Sequence, residues 1–490
     1  MRILQFILTT TLIVFADYLF AQQTFEKIIA VPEDQVINSV IEDNDGNYFL
    51  AGRIKNSEGT RNSGYIIKLD SSGNLMQEKI ISPNDTLSSL FLNIHFFNDY
   101  CYVIGTEIVN YPDTSKLWYL KFNSNLEIED EKTLAIPYGR WFSYMNSIID
   151  SDTNLVITGY TTRVDETNNY NNDAFFYKLN INGDSLNSKF YTSYIPLHFS
   201  FDIIESQDSS LYYAFVSHFE NTSGGQKLIL NKNLDSLGIV AIPLGIYDYY
   251  SPTYINENEI LLCGKGSPDQ SELYALNVIS INEQTELIDY NSFKIEGSNR
   301  EHPAMYNGVS KNEDNIYIGG TSNLDYANPF WSSFDSWFHL IKINPDITPI
   351  WEYWYGGDAY YFLYSILATN DGGCIMVGNR YDDETQDQER DIYIVKVNSE
   401  GLIVWTQEIP IDKQLTTVYP NPGTNRLMIK TDRNELDFEL LNLNGQVVIR
   451  QMIDNICSTI NTESLKPGMY FYRLIDKKTM TIETGKWIKK

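Results

Sequence analysis

The 490-residue sequence predicts an all-β chain in two parts: a ring of four-stranded sheets, then a small terminal sandwich. Three observations predict it. One apolar unit recurs seven times over most of the length. Its runs are rich in Tyr, Phe, Ile and Val and are bounded by Gly, Asn, Asp and Ser, which are strand and turn signals. Charge then changes sign near the end: residues from Thr416 to Lys490 carry a net +3, the preceding 415 a net −31.

At the front, Met1-Arg2 is followed by a 14-residue apolar stretch from Ile3 to Ala16. Asp17 ends it, and Ala21-Gln22 offers a small-residue cleavage point. This reads as a secretory signal peptide over residues 1–21. A membrane span needs about 20 apolar residues, so no transmembrane anchor is expected.

The repeat occupies residues 22–412. Each copy has an apolar run ending in Gly, a variable loop, and an apolar run ending in Lys-x-Asn or Lys-x-Asp. The first copy reads NDGNYFLAG, then GYIIKLD; the seventh reads DGGCIMVG, then IYIVKVN. The end residues are Asp70, Asn123, Asn180, Asn233, Asn282, Asn344 and Asn398, with the fourth copy degenerate. Two more strand-like runs accompany each copy, such as VINSVIED before it and NLMQEKII after it. Four short strands every 55 or so residues predict propeller blades. The expected fold is a seven-bladed β-propeller. TFEKII near the start and LIVWTQEI after the last copy each offer a spare strand for closing the ring, which would remove exposed edges. The repeats resemble the long β-propeller repeats of secreted bacterial proteins that end in a sorting domain, which speaks to architecture and not to activity.

After Pro410 the texture changes. Asn444-Gly445 between two apolar runs is a strong hairpin signal, and Pro467-Gly468 marks another turn. Short strands over residues 416–490 predict a small Ig-like β-sandwich. This stretch resembles the type A C-terminal sorting domain of the type IX (Por) secretion system. The matching residues are Tyr419, Pro420, Asn421 and Pro422, then Asn444 and Gly445, then Leu465, Gly468 and Tyr470, then Lys486 and the terminal lysines. The resemblance implies a Gram-negative producer, passage through the outer membrane by the type IX machinery, and often removal of the domain.

Composition excludes some functions. The formal net charge is −28, which repels phosphate backbones and anionic lipid, so nucleic-acid binding is not expected. Four cysteines, Cys101, Cys263, Cys374 and Cys457, show no C-x-x-C spacing, and three lie in apolar runs as small hydrophobes. The histidines at 95, 198, 218, 302 and 339 have no metal-site spacing. No nucleophile elbow or phosphate loop is present. No catalytic residue, metal or cofactor is predicted. DNDGN (Asp43 to Asn47) resembles part of a calcium loop but lacks the distal Glu, and reads as a turn; DDETQDQERD from Asp382 reads as a solvated loop. DTL at Asp85 and DSL at Asp184 and Asp235 resemble O-glycosylation triplets of such secreted proteins, and also suit turns.

Strand alternation supplies a candidate site. The links before each Gly run and after each Lys-x-Asn run are mostly tight turns and share one end of the blades. The other two links share the opposite end, are long and varied, and carry the aromatics, as binding loops on a rigid scaffold do. The candidate ligand-binding residues are Tyr326, Phe330, Trp331, Trp337, Trp354, Tyr360 and Trp141. The expected function is a secreted or cell-surface binding protein with a carbohydrate or protein ligand. The alternative is an extracellular hydrolase or lyase on a propeller scaffold. Fold alone does not choose between them.

Overall fold

The computed structural model describes residues 22–490 except 57, 84–87, 111–113, 137–140, 165–169, 192–197, 219–223, 247–250, 266–274, 295–299, 386–388, 405–415, 432–435, 443–446, 454–456 and 477–480. The expected signal peptide, Asn444-Gly445, the DTL triplet and all but the start of LIVWTQEI lie outside the described residues. Among them there is no α-helix, and the chain divides into two compact units, Met1–Val404 and Trp405–Lys490.

In the first unit, consecutive strands form antiparallel up-and-down sheets. The first sheet, residues 35–81, runs Gln35–Glu42, Tyr48–Lys55, Asn62–Leu69 and Leu75–Ile81 from the inner edge outward. The same order follows over residues 88–135, 141–191, 198–241, 253–293 and 301–356. The seventh sheet takes three strands from residues 360–397. Its outer strand is Phe25–Ile29 from the start of the unit, antiparallel to Asp391–Val397 with Phe25 opposite Lys396. Of the two spare runs, the N-terminal one takes this outer place; Leu402 to Val404 is not in a strand, and the rest of LIVWTQEI lies outside the described residues. Inner strands are largely buried and outer ones largely exposed, as Gln35–Glu42 and Leu75–Ile81 show.

Neighbouring sheets pack face to face. Phe49, Ala51 and Ile66 of the first sheet meet Phe91, Val103 and Trp118 of the second. Further cores join the second sheet to the third and so on to the seventh. One more joins the seventh to the first, where Ile375, Val377 and Ile394 meet Ile37, Leu50 and Ile67.

The Lys-x-Asn motif acquires a physical reason. Its last residue caps the turn to the outer strand: Asp70 Oδ1 accepts from the Ser72 and Asn74 backbone, Asn123 Oδ1 from Asn125 and Glu127. In three copies its lysine reaches the next sheet's turn, whereas Lys121 lies over the Tyr100 ring and Lys396 pairs with Asp371 of its own sheet. Lys68 Nζ donates to Ser124 O at 2.9 Å, Lys178 to Lys232 O at 3.4 Å and Lys342 to Ser399 O at 3.1 Å. In the fourth sheet the capping residue is Asn231, which accepts from Asn233 and Asp235. The sequence reading placed that end two residues late, at Asn233. The lysine position is Ile229 there, and Lys227 donates to Glu283 O instead. The third residue after the cap has positive φ, as at Gly73 (80°) and Ile347 (57°). A Cβ at Gly73 would meet the Phe25 ring at 2.6 Å. Where no neighbouring ring fills that space, the turn residue fills it, and Ile347 is 1% exposed.

The described residues of the second unit form two sheets. One holds Thr416–Tyr419, Arg426–Thr431 and Cys457–Asn461; the other runs Val447–Ile453, Leu436–Leu441, Gly468–Asp476, Thr481–Lys489. Leu427, Phe438, Tyr472 and Trp487 share their core.

Candidate functional site

The sixth sheet departs from its neighbours, and the candidate site is built on it. Its inner strand is split into Glu301–Pro303 and Val309–Asn312, both paired to Asn315–Ser322. Gly319 bridges the gap: its carbonyl accepts from Ala304 N and its N–H donates to Gly308 O. The intervening Met305-Tyr306-Asn307 swings out onto the inner strand of the seventh sheet, with Tyr306 N donating to Tyr364 O at 2.8 Å. Their rings stack at 6.0 Å. Asn146 of the third sheet donates to Tyr306 O at 3.4 Å, so the excursion reaches across to a sheet three away.

Bulges recur along the inner strands and turn polar side chains toward one another. Ser39 donates to Asn93 at 3.3 Å, Asn93 to Asn146, and Asn146 to Asp202 at 2.9 Å. Burial pushes the Asp202 carboxyl up to about 8, against the Ile203 and Ser251 backbone and the Asn146 amide, which favour its charge. The signal was legible: Asn sits inside apolar runs such as INSVI and FLNIH, where an unpaired amide would be costly. Neither Tyr306 nor Asp202 was identified from the sequence.

The long loop of the sixth sheet, residues 323–336, carries most of the predicted rings. Tyr326 is 62% exposed and Phe334 is also exposed. Asp325 pins the loop by accepting from Ala327 N and from Ser332 Oγ at 2.9 Å. Tyr360 is buried beneath it, donating to Pro329 O at 3.2 Å, so it anchors the loop and presents no ring. Phe330 and Trp331 are half-buried. Trp331 meets Tyr381 edge-on at 5.1 Å and lies 4.5 Å from the Arg390 guanidinium. Trp337 opens the next strand opposite Ser322 and Gly356. Trp354 lies in the outer strand Pro349–Gly356, opposite His339, and not in a link as expected, because that strand runs on to Gly356; it is 38% exposed and donates its indole N–H to Ser322 Oγ at 3.1 Å. Trp331, Trp337 and Trp354 therefore sit at one end of the sixth sheet. Trp141 opens the strand Trp141–Ile149, and its side chain lies outside the described residues.

Beneath Trp354 lies a buried polar cluster. His339 stacks on the indole at 4.9 Å. Its Nε2 is 2.7 Å from Glu352 Oε1 and its Nδ1 is 3.4 Å from Glu301 Oε2. Burial opposes the imidazolium, but Glu301 and Glu352 outweigh it and raise the His339 pKa. Ser322 donates to Glu301, which completes the support under the ring. No access to His339 exists: its side chain is fully buried. Burial alone lowers His95 to about 4, and burial with the Lys265 charge lowers His302 to about 3.

A second cluster stands where the first and seventh sheets meet, at the same end. Arg390 Nε and Nη2 each donate to Asp34 at 2.8 Å. Arg53 Nη1 is 3.5 Å and Lys55 Nζ 3.9 Å from the same carboxylate. Burial works to raise Asp34, but the three cations outweigh it and hold the pKa below its ordinary value.

The remaining sequence features resolve into turns. Asp43 Oδ1 accepts from Asp45 N and Asn47 N, so DNDGN spends its first carboxylate on the turn. No group of acidic, His or Cys side chains suited to a metal ion occurs among the described residues. Cys101, Cys263 and Cys374 are buried free thiols and Cys457 is exposed. Ser185 and Ser236 of the DSL triplets are exposed at matching turns.

In the second unit the motif residues meet. Asn421 Nδ2 donates to Lys486 O at 2.7 Å and its Oδ1 accepts from Ile488 N at 3.0 Å. The side chain thus pairs with the last strand as a backbone would. Trp487 donates to Pro420 O at 2.7 Å, and Tyr470 to Lys466 O at 2.9 Å. A Cβ at Gly423 would meet Trp487 at 2.7 Å, so only Gly admits the indole here.

Comparison with known proteins matches residues 417–490 to the secretion system C-terminal sorting domain. No curated protein matches the chain in sequence. Among solved structures, it is similar to the acylaminoacyl peptidase of Pyrococcus horikoshii, at 10% identity and a TM-score of 0.42, over 82% of this chain and 59% of that one. The chain thus spans about three fifths of that enzyme's length. It is similar to the β-propeller domain of the Trilobed protease from Pyrococcus furiosus, at 9% identity and a TM-score of 0.42, covering 79% and 98%. It is also similar to PorZ of Porphyromonas gingivalis, described as a surface component of the type IX secretion system, at 7% identity and a TM-score of 0.26, covering 93% and 81%. From the lacing of Tyr419–Pro422 onto the final strand and the family match over the same residues, the last 74 residues of this chain are a type IX (Por) secretion system C-terminal sorting domain.

Proposed function

We propose that the protein is a secreted or cell-surface binding protein that takes a carbohydrate or protein ligand on the loop end of a closed seven-bladed β-propeller. Its signal peptide spans residues 1–21, the propeller 22–412 and the Ig-like sorting domain 416–490. Support for the ring comes from the succession of cores that leads from the seventh sheet back to the first. The sorting domain directs export by the type IX machinery, to the medium or the outer-membrane surface of a Gram-negative cell.

One observation carries the binding reading. Tyr326 and Trp354 are exposed on a loop end whose supports are buried and hydrogen-bonded. Rings held rigid at a surface lose little entropy on contact, which suits stacking on a sugar or a protein anchor. The test is retention of the secreted protein on a panel of immobilised polysaccharides and surface proteins. Tyr326→Ala and Trp354→Ala should each weaken capture about tenfold with an unchanged Tm. Equal capture by both variants and the parent would overturn the reading.

A further inference from the structure

We propose that the loop end takes a carboxylate-bearing sugar, with Arg53 and Lys55 receiving the carboxylate beside the ring surface of Trp331. This rests on the binding reading above and narrows its ligand to an acidic glycan.

The observation is a charge imbalance in a protein of net charge −28. Three cations converge on one carboxylate, that of Asp34. Arg390 uses that carboxylate fully, with both of its bonds at 2.8 Å. Arg53 is left with one long contact to Asp34 and a 2.6 Å bond from Nη1 to Asn62 Oδ1. Its Nε and Nη2 have no partner among the described residues, and its side chain is 20% exposed. Lys55 is 35% exposed and, among the described residues, has only the 3.9 Å approach to Asp34. Burial and the Arg390 charge both work against the Arg53 cation, and Asp34 does not make up the difference. By contrast, Arg380 of the seventh sheet has two acids, Asp382 at 2.9 Å and Asp358 at 3.5 Å.

A half-buried guanidinium short of an anion is a ready site for one. A planar carboxylate matches the free Nε–Nη2 edge through two parallel charge-assisted bonds. A ring acid is favoured by the surroundings. Arg390 lies over Trp331, and the stacked Tyr306 and Tyr364 are within electrostatic reach of Arg53. The Met305–Asn307 excursion stands against the seventh sheet beside this cluster. Rings of Tyr306, Tyr364, Phe330 and Tyr381 pack together there, which suits the flat face of a sugar better than an extended peptide.

The test is calorimetric titration of the full chain with trigalacturonate and with its methyl ester, which keeps the rings and removes the charge. The acid should bind at least about tenfold more tightly than the ester, and salt should weaken only the acid. Arg53→Gln should abolish that preference, and Lys55→Gln should reduce it, each with Tm within about 2 °C of the parent. Equal binding of acid and ester overturns this inference while leaving a glycan-binding surface in place. Failure of both sugars overturns the glycan reading. Binding of poly-glutamate through Arg53, without trigalacturonate, replaces the sugar by an acidic peptide and also overturns the proposal.

Discussion

Arg390 grips Asp34 through two 2.8 Å bonds across 356 residues of sequence, and both side chains are nearly inaccessible to water. The pair joins the last described sheet of the first unit to the first. Removing one partner of a buried pair leaves an uncompensated charge. Asp34→Ala should therefore cost about 3–5 kcal/mol in urea unfolding. The double variant Asp34→Leu with Arg390→Met should recover part of that loss, and an Asp34→Ala protein as stable as the parent would show that the pair does not hold the sheets together.

The turn-spanning lysines should each count. Lys68→Met and Lys342→Met leave the carbonyls of Ser124 and Ser399 without these bonds. Each should lower stability by about 1–3 kcal/mol. The sites lie in separate sheets, so the two losses should add in the double variant.

Asp202 predicts a pH trend. Its folded pKa, about 8, stands above the ordinary carboxylate value. A raised acid binds its proton more tightly when folded. Stability should fall as pH rises from about 4 to about 8 and then level off. Asp202→Asn keeps an acceptor for Asn146 and Ile203 and should flatten this slope. Parallel slopes for parent and variant in pH-dependent urea melts would rule Asp202 out as the cause.

His339 gives a second, separable trend. Its folded pKa is raised by Glu301 and Glu352. The stabilisation is fully present below the unfolded value of about 6.5 and is lost as pH rises through the folded value. An imidazolium stacked on an indole quenches it, so Trp354 emission should rise over the same interval. His339→Gln should remove both changes; a titration that persists in that variant belongs to another group.

The sorting domain yields a prediction about export. Truncation after Leu415 should leave the first unit folded, with unchanged strand content by circular dichroism, but should keep it out of the medium in a type IX-competent host. Normal appearance of the truncated protein in the medium would contradict it.

The repeating parts of this protein were legible in its sequence because their causes are local. Apolar alternation marks the strands, Asp or Asn caps the turn two to four residues ahead, and Tyr419–Pro422 reads as a motif without knowledge of its partner strand. The fourth copy misled by two residues because Asn231 and Asn233 both suit a turn, and only pairing selects Asn231. Strand direction alternates along each sheet, so the order of the runs alone puts Trp331 and Trp354 at one end. What tertiary structure alone decided are meetings between distant residues. Phe25–Ile29 is the outer strand of the seventh sheet, a pairing with Asp391–Val397 more than 360 residues away that no local pattern announces. Tyr360 proved an anchor and not a contact ring, because burial depends on the loop folded over it. Asp34, Arg53, Lys55 and Arg390 carry no pattern in one dimension. Their charge imbalance exists only where the first sheet meets the seventh, because electrostatic energy depends on distance through space and not on separation along the chain.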